Sequence, residues 1–332
     1  MRKFTIHSTI YLLLGFFLHA TAYAQLTDTT DSDRRGAPRV YKYSARTGAL
    51  ADATVADPSY LSVININPAN LAFVEDLTTI QINISQNLNN NMMLENFTLP
   101  AIRSGNHSFA AQFSIHHDRG FEAFNLLGNN PQPQPKMTIY QVDVVYAFSI
   151  DDALSFGVLN NVSYAKNIIA QYLTYYPTFG VLYAPSESLS YGIAFRGLGR
   201  SSTYFIPNPN QAQCLERDNC LTTFGSQKLR KSLELGASLK LPTESDYVDL
   251  SIYLANEKQF ERDGLWYKAG IEITSIPNLA LRSGIIYQSA KNILAPRFGL
   301  GITTDVVELD YTVSHSEELF ERYHQLAITI HI

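Results

Sequence analysis

Two short clusters hold the residue types of acid–base or nucleophilic chemistry: His116-His117-Asp118-Arg119 and Ser314-His315-Ser316. A serine needs an adjacent base before it can attack, and a catalytic zinc needs about three protein ligands around an open position. Neither cluster stands in a nucleophile elbow, and neither has the His-Glu-x-x-His spacing that aligns two ligands on a helix face. Histidines at strand ends on the surface explain both more simply. The sequence therefore predicts no catalytic residue, no metal site and no cofactor. Cys214 and Cys220, both within "CLERDNC", are the only two cysteines. In an exported chain a close pair predicts one disulfide closing a small loop.

A third group of reactive side chains is spread widely: Asp143, Glu234, Lys240, Asp249, Lys268, Glu272, Arg282, Arg297, Glu308 and Asp310. Each falls in a stretch of strict two-residue alternation. In "TIQINIS", Ile80, Ile82 and Ile84 oppose Gln81, Asn83 and Ser85. In "YVDLSIYL", Val248, Leu250, Ile252 and Leu254 oppose Asp249, Ser251 and Tyr253. In "KSLELGASLKL", Leu233, Leu235, Ala237, Leu239 and Leu241 oppose Glu234, Gly236, Ser238 and Lys240. Helical spacing fits none of these. The charges thus belong to the mixed face of β-strands whose other face is uniformly apolar.

Fourteen such strands are predicted, near 77–86, 92–102, 107–117, 136–149, 153–165, 171–183, 189–196, 229–241, 247–256, 264–274, 278–287, 295–303, 305–314 and 322–332. Most exceed the usual soluble strand of about five or six residues and match what a tilted strand needs to cross a bilayer. Short connections such as "RSGN", "IDDA" and "APSES" alternate with longer ones, including 118–135 and 197–228. That alternation is the mark of an outer-membrane barrel, with short turns on the periplasmic side. The predicted fold is all-β, a 14-stranded antiparallel transmembrane barrel over 77–332. Its apolar faces would meet outer-membrane lipid and its mixed faces the lumen. Both signs of charge occur on the mixed face, so a compensating polar network is expected there before an ion conduit. Tyr140, Tyr146, Tyr191, Tyr267, Tyr287 and Tyr311 fall on the outward face, those near strand ends being candidates for an interfacial girdle.

Composition agrees. Charged residues are 17% of the chain, against about 25% in average soluble proteins. Aromatics are 12%, with 20 tyrosines, and the net charge of −5 offers no basic face for nucleic acid. Arg2 and Lys3, the apolar run "IYLLLGFFLHA" and the small-x-small site "AYA" predict a signal peptide over 1–24, cleaved after Ala24. The export signal and barrel together predict the outer membrane of a Gram-negative bacterium. Residues 25–39 are polar and expected to be a disordered periplasmic N-terminus.

Residues 40–76 fit neither the signal nor the wall. They carry Leu61, Val63, Ile64, Ile66, Leu71 and Phe73, which would be wet in a free tail. Fourteen strands leave interior space beyond what eight would fill, so this segment is expected inside the barrel as a plug. In "ININPANLAF", Pro68 suits a turn, and the Asn67 side chain is expected to brace it through nearby backbone.

The stretch "ARTGALADATVADPSYLSVININPANLA" resembles the N-terminal segment of FadL-like outer-membrane proteins, a group that includes long-chain fatty-acid transporters and the PorV/PorQ-like proteins of type IX secretion. Gly48, Ala49, Ala51, Asp57, Asn67, Pro68, Ala69, Leu71 and Ala72 carry the match. "ELDYTVSHSEELFERYHQLAITI" resembles the group's final hairpin. The resemblance implies an N-terminal hatch inside a 14-stranded barrel. The chain is short for a fatty-acid transporter, which points first to a PorV/PorQ-like component or adaptor of protein secretion. Its partners would be secretion-system proteins or cargo, bound through external loops such as 197–228. The alternative is FadL-like passive transport of hydrophobic small molecules.

Overall fold

Alternation of apolar and polar side chains turns one face of each strand outward and the other inward, and the wall is built that way. The computed structural model describes residues 44–75, 77–87, 92–118, 122–123, 132–133, 137–166, 170–205, 223–229, 231–241, 248–260, 263–275, 278–316 and 321–332. The expected signal peptide over 1–24, residues 25–39, Cys214 and Cys220 lie outside these.

Seventeen hydrogen-bonded stretches form one antiparallel sheet. Three of them continue a neighbour across a short break, so the wall has fourteen strands. They are β1 (Thr79–Asn87), β2 (Met92–Thr98, continued as Ile102–Ser104), β3 (His107–Asp118), β4 (Met137–Ser149), β5 (Leu154–Lys166) and β6 (Ala170–Ser186). Then follow β7 (Leu189–Arg196, continued as Arg200–Phe205), β8 (Thr223–Lys228, continued as Ser232–Leu241) and β9 (Val248–Gln259). The last are β10 (Trp266–Ser275), β11 (Leu279–Gln288), β12 (Ile293–Thr303), β13 (Val307–Ser316) and β14 (Glu321–His331). β1 pairs with β14 from Thr79↔His331 to Asn87↔Tyr323, which closes the barrel and leaves no free edge. The predicted class and strand count agree with this architecture.

One boundary differs. The expected loop over 197–228 is shorter, because Arg200–Phe205 and Thr223–Lys228 pair with each other and extend β7 and β8 outward. The sequence "GLGR" hides the extension: Gly197 adopts φ +84°, and an extra residue enters the strand where β7 passes β6. A bulge of this kind inverts the side-chain alternation, so a period-two reading stops there.

The outward face carries exposed Phe113, Val142, Val162, Ile271, Leu281 and Leu309, among others. Tyr140 and Tyr311 are exposed on it, and Tyr146, Tyr191, Tyr267 and Tyr287 are half-buried. Tyr267 and Tyr287 stack with centroids 6.1 Å apart.

Residues 44–75 are almost wholly buried against the inner face of the wall. They form one helix, α1 (Ala45–Ala49), and two 3-10 turns, Leu61–Val63 and Pro68–Ala72. Ser44 caps α1 by accepting from the Thr47 amide, and Asn67 caps the second 3-10 turn, with Pro68 at its first position. The segment crosses the barrel: α1 packs on β11 to β14, and the second 3-10 turn on β3 to β6.

Candidate functional site

The site is the inner wall together with the segment it encloses. Its two arcs hold that segment by different chemistry.

On one arc, strands β7 to β13 carry the charges. Arg46 of α1 is 1% exposed. Its Nε and Nη2 donate to the two Glu272 oxygens, each at 2.9 Å, a bidentate fork. Its Nη1 donates to Asp57 Oδ2 at 2.6 Å and its Nη2 to the Tyr253 hydroxyl at 2.9 Å. The guanidinium also lies 3.6 Å from the Tyr60 ring centroid. Burial favours a neutral side chain, but Glu272 and Asp57 outweigh it and hold the guanidinium charged well beyond its ordinary range. Burial likewise pushes the Tyr60 hydroxyl up, only partly offset by Arg46, so Tyr60 stays protonated.

Glu272 accepts again from Arg282, which reaches Asp310 through Nη1 and stands 3.7 Å from Glu308. A second cluster joins Glu234 to Arg196 at 2.6 Å and to Lys268 at 2.8 Å, with Glu257 also on Lys268. Further links run from this side into the segment, among them Arg297 to Asp52 at 3.2 Å and Arg196 Nη2 to the Ile66 carbonyl at 2.6 Å. Asp52 and its neighbour Ala51 adopt φ of +56° and +57°, a left-handed pair without glycine, held by amide bonds to Thr47 and Gly48 carbonyls as well as by Arg297.

The other arc, β1 to β6, is lined mainly by amides and hydroxyls. Asn83 Nδ2 donates toward Asn96 and Gln81, Asn96 to Ser114, and Gln112 to Thr98. Asp143 is 1% exposed and accepts from Gln141 at 2.9 Å and from Asn161. Asn67 Nδ2 donates to the Val55 carbonyl at 2.7 Å and across to Val181 of β6 at 3.0 Å, while its Oδ1 accepts from the Ala69 amide at 3.1 Å. Asn70 donates to the Asp57 carbonyl at 2.5 Å. A bulge at 99–101, where Pro100 has no N–H for the ladder, shifts the register of β2 and turns Arg103 inward. Arg103 Nη2 then caps the carbonyls of Leu71, Ala72 and Val74 at the end of the 3-10 turn.

Seven glycines seat the segment against the wall. A Cβ at Gly157, Gly180, Gly192, Gly236, Gly270, Gly284 or Gly299 would come within 3.0 Å of an atom of residues 49–69. Six of them form directly opposed pairs: Gly157↔Gly180, Gly192↔Gly236 and Gly270↔Gly284. Each pair bares a patch of wall backbone, and the segment's own backbone fills it.

Of the sequence-predicted residues, Gly48, Ala49, Asp57, Asn67, Pro68, Ala69 and Leu71 lie in the enclosed segment. Asp143, Glu234, Lys268, Glu272, Arg282, Arg297, Glu308 and Asp310 are buried on the inner face. Asp249 is the exception. It has inward parity but stands at the rim, 56% exposed, paired at 3.3 Å with exposed Lys240; β9 starts at Val248, so the position is too near the strand end to be covered. His116 points inward and His117 outward, as strand alternation requires, so the two cannot share a site. Sequence reasoning missed Arg46, Asp52, Tyr60, Arg103, Arg196, Glu257 and the glycines. An arginine amid the small residues of "SARTGALA" was the one legible signal.

No protein-family model matches the chain, and no curated protein matches it in sequence. The fold itself has solved counterparts. It is similar to that of hydrocarbon transporters and channels. The toluene transporter TodX of Pseudomonas putida aligns at TM-score 0.55 and 11% identity, covering 86% of this chain and 96% of that one. The monoaromatic hydrocarbon channel CymD aligns at 0.57 and 11%, covering 89% and 97%. A Pseudomonas aeruginosa FadL homologue aligns at 0.53 and 10%, covering 86% and 98%. At these identities the likeness is one of fold, a closed 14-stranded antiparallel barrel.

Proposed function

We propose that the protein is a passive outer-membrane channel for hydrophobic small molecules, with residues 40–76 acting as its hatch. The observation that carries this reading is the enclosure of 44–75 across the lumen of a closed barrel, tied to the wall on both sides. A segment so placed obstructs any route through the barrel and must shift for a molecule to pass. The similar structures named above include a toluene transporter and a hydrocarbon channel, and this favours transport over the secretion-adaptor reading. The external loop offered for secretion partners lies largely outside the described residues. In this reading the chain is exported and cleaved after Ala24, the polar stretch 25–39 stays on the periplasmic side, and Cys214 pairs with Cys220.

The test is toluene entry into vesicles of outer-membrane lipid carrying the purified barrel. Saturable uptake above protein-free vesicles is expected. Uptake no faster than through lipid alone, for toluene and for larger alkylbenzenes, overturns the proposal. N-terminal sequencing of the membrane fraction should begin at Gln25.

A further inference from the structure

Trp266 is the chain's one tryptophan, and it opens β10 on the lumenal side. Directly opposite it in the ladder is Gln288, the last residue of β11. The indole Nε1–H is buried with no hydrogen-bond partner, and so is the Gln288 Oε1. Gln288 as a whole is 3% exposed. A donor and an acceptor, each without a partner, therefore belong to directly opposed ladder residues. An unpaired buried polar atom is costly, so both atoms favour a guest that satisfies them.

The surroundings are apolar. Trp266 packs against Ile286, Ala295 and Ala51, and buried Ile293 stands opposite Gln288 on the next strand. The nearest charges are already occupied: Glu257, facing Trp266 from β9, is bound to Lys268. What remains is an apolar cluster with an unpartnered donor and an unpartnered acceptor on opposed residues beside it, a make-up that suits a small-molecule site. A hydroxyl is the simplest group that both accepts and donates.

We infer that Trp266 and Gln288 form a recognition site for an alcohol, a ligand with an apolar ring or chain and a single hydroxyl. The hydroxyl oxygen accepts from the indole N–H and its proton goes to the Gln288 carbonyl. The hydrocarbon part lies on Ile286, Ala295 and the left-handed turn at Ala51, so a bound ligand touches the enclosed segment directly. The inference rests on the transport reading and narrows its substrate class. Water can bond the same two atoms, and an apolar alcohol displaces it by adding contact that water lacks.

The sole tryptophan supplies the assay. Trp266 fluorescence of the detergent-solubilised full barrel is titrated with ethylcyclohexanol, its methyl ether and ethylcyclohexane. The alcohol should bind at least about tenfold more tightly than the alkane, the equivalent of one good hydrogen bond, with the ether between them. Gln288→Leu keeps the volume and removes the acceptor, so it should bring alcohol and ether together. Retained heat-modifiable migration would show that this variant still folds. Equal affinity for all three ligands, no saturable response, or unchanged discrimination in Gln288→Leu overturns the site. Vesicle uptake separates the two claims. Discriminating binding without uptake leaves the site standing and fails the transport reading, whereas uptake without discrimination fails the site alone.

Discussion

The two arcs of the lumen wall hold one segment by unlike means. Strands β7 to β13 grip its first half with buried charge, centred on Arg46 and Glu272. Strands β1 to β6 hold its second half with amide caps and apolar contact, centred on Asn67, while opposed glycines seat the segment on both arcs, Gly157–Gly180 on this one and Gly192–Gly236 and Gly270–Gly284 on the other. Charge in a low-dielectric interior resists screening and tolerates no loss of a partner. Backbone-to-backbone seating depends on shape, and fails when a single methyl is added. The first arc is thus the firmer anchor, and the second is the side from which the segment can lift without breaking the buried ion pairs of Arg46 and Asp52, at the loss of the Arg103 bonds to its carbonyls.

This contrast is open to breakage. Arg46→Ala should have the largest effect, because it leaves Glu272 and Asp57 buried with a cation removed. A loss of about 3–5 kcal/mol is expected, seen as a lowered heat-modifiability midpoint and as protease access to residues 44–75. Asn67→Ala removes three hydrogen bonds from a fully buried side chain. At about 1 kcal/mol each, it should cost about 3 kcal/mol and open only the second half to protease. Gly192→Ala would drive a methyl into the Val55 carbonyl, with an expected cost of about 1–3 kcal/mol by overpacking and a measurable rise in single-channel conductance. Lys240→Ala breaks a pair more than half exposed, and should change the midpoint by less than about 1 kcal/mol. Were Lys240→Ala to match Arg46→Ala, burial would not be what distinguishes the anchor.

Much of this was readable in the sequence for one physical reason. Alternation is local, so Ile80, Ile82 and Ile84 announce a strand and its faces without any partner, and Glu272, Arg282 and Asp310 could be placed inward before their mutual contacts were visible. Register between strands is not local. Gly157 and Gly180 are unremarkable until β5 and β6 align them, and neither signals a seat until Pro68 is brought over them. Arg196 closed an expected strand and Glu257 fell in an expected loop, because β7 and β9 run further than alternation revealed. Arg103 was inverted by the bulge at Pro100. Asp249 had the right parity but the wrong depth, a quantity that periodicity does not carry.

The central claim, that the enclosed segment must move for a molecule to cross, is tested most directly by locking it. Ser155 Oγ donates to the Ala69 carbonyl at 2.9 Å, so wall and segment meet there. The double variant Ser155→Cys, Ala69→Cys is made in a chain with Cys214 and Cys220 replaced by serine, and toluene uptake by vesicles is followed under oxidation and then reduction. The account predicts that oxidation abolishes uptake and reductant restores it. Full uptake by the cross-linked barrel would contradict it.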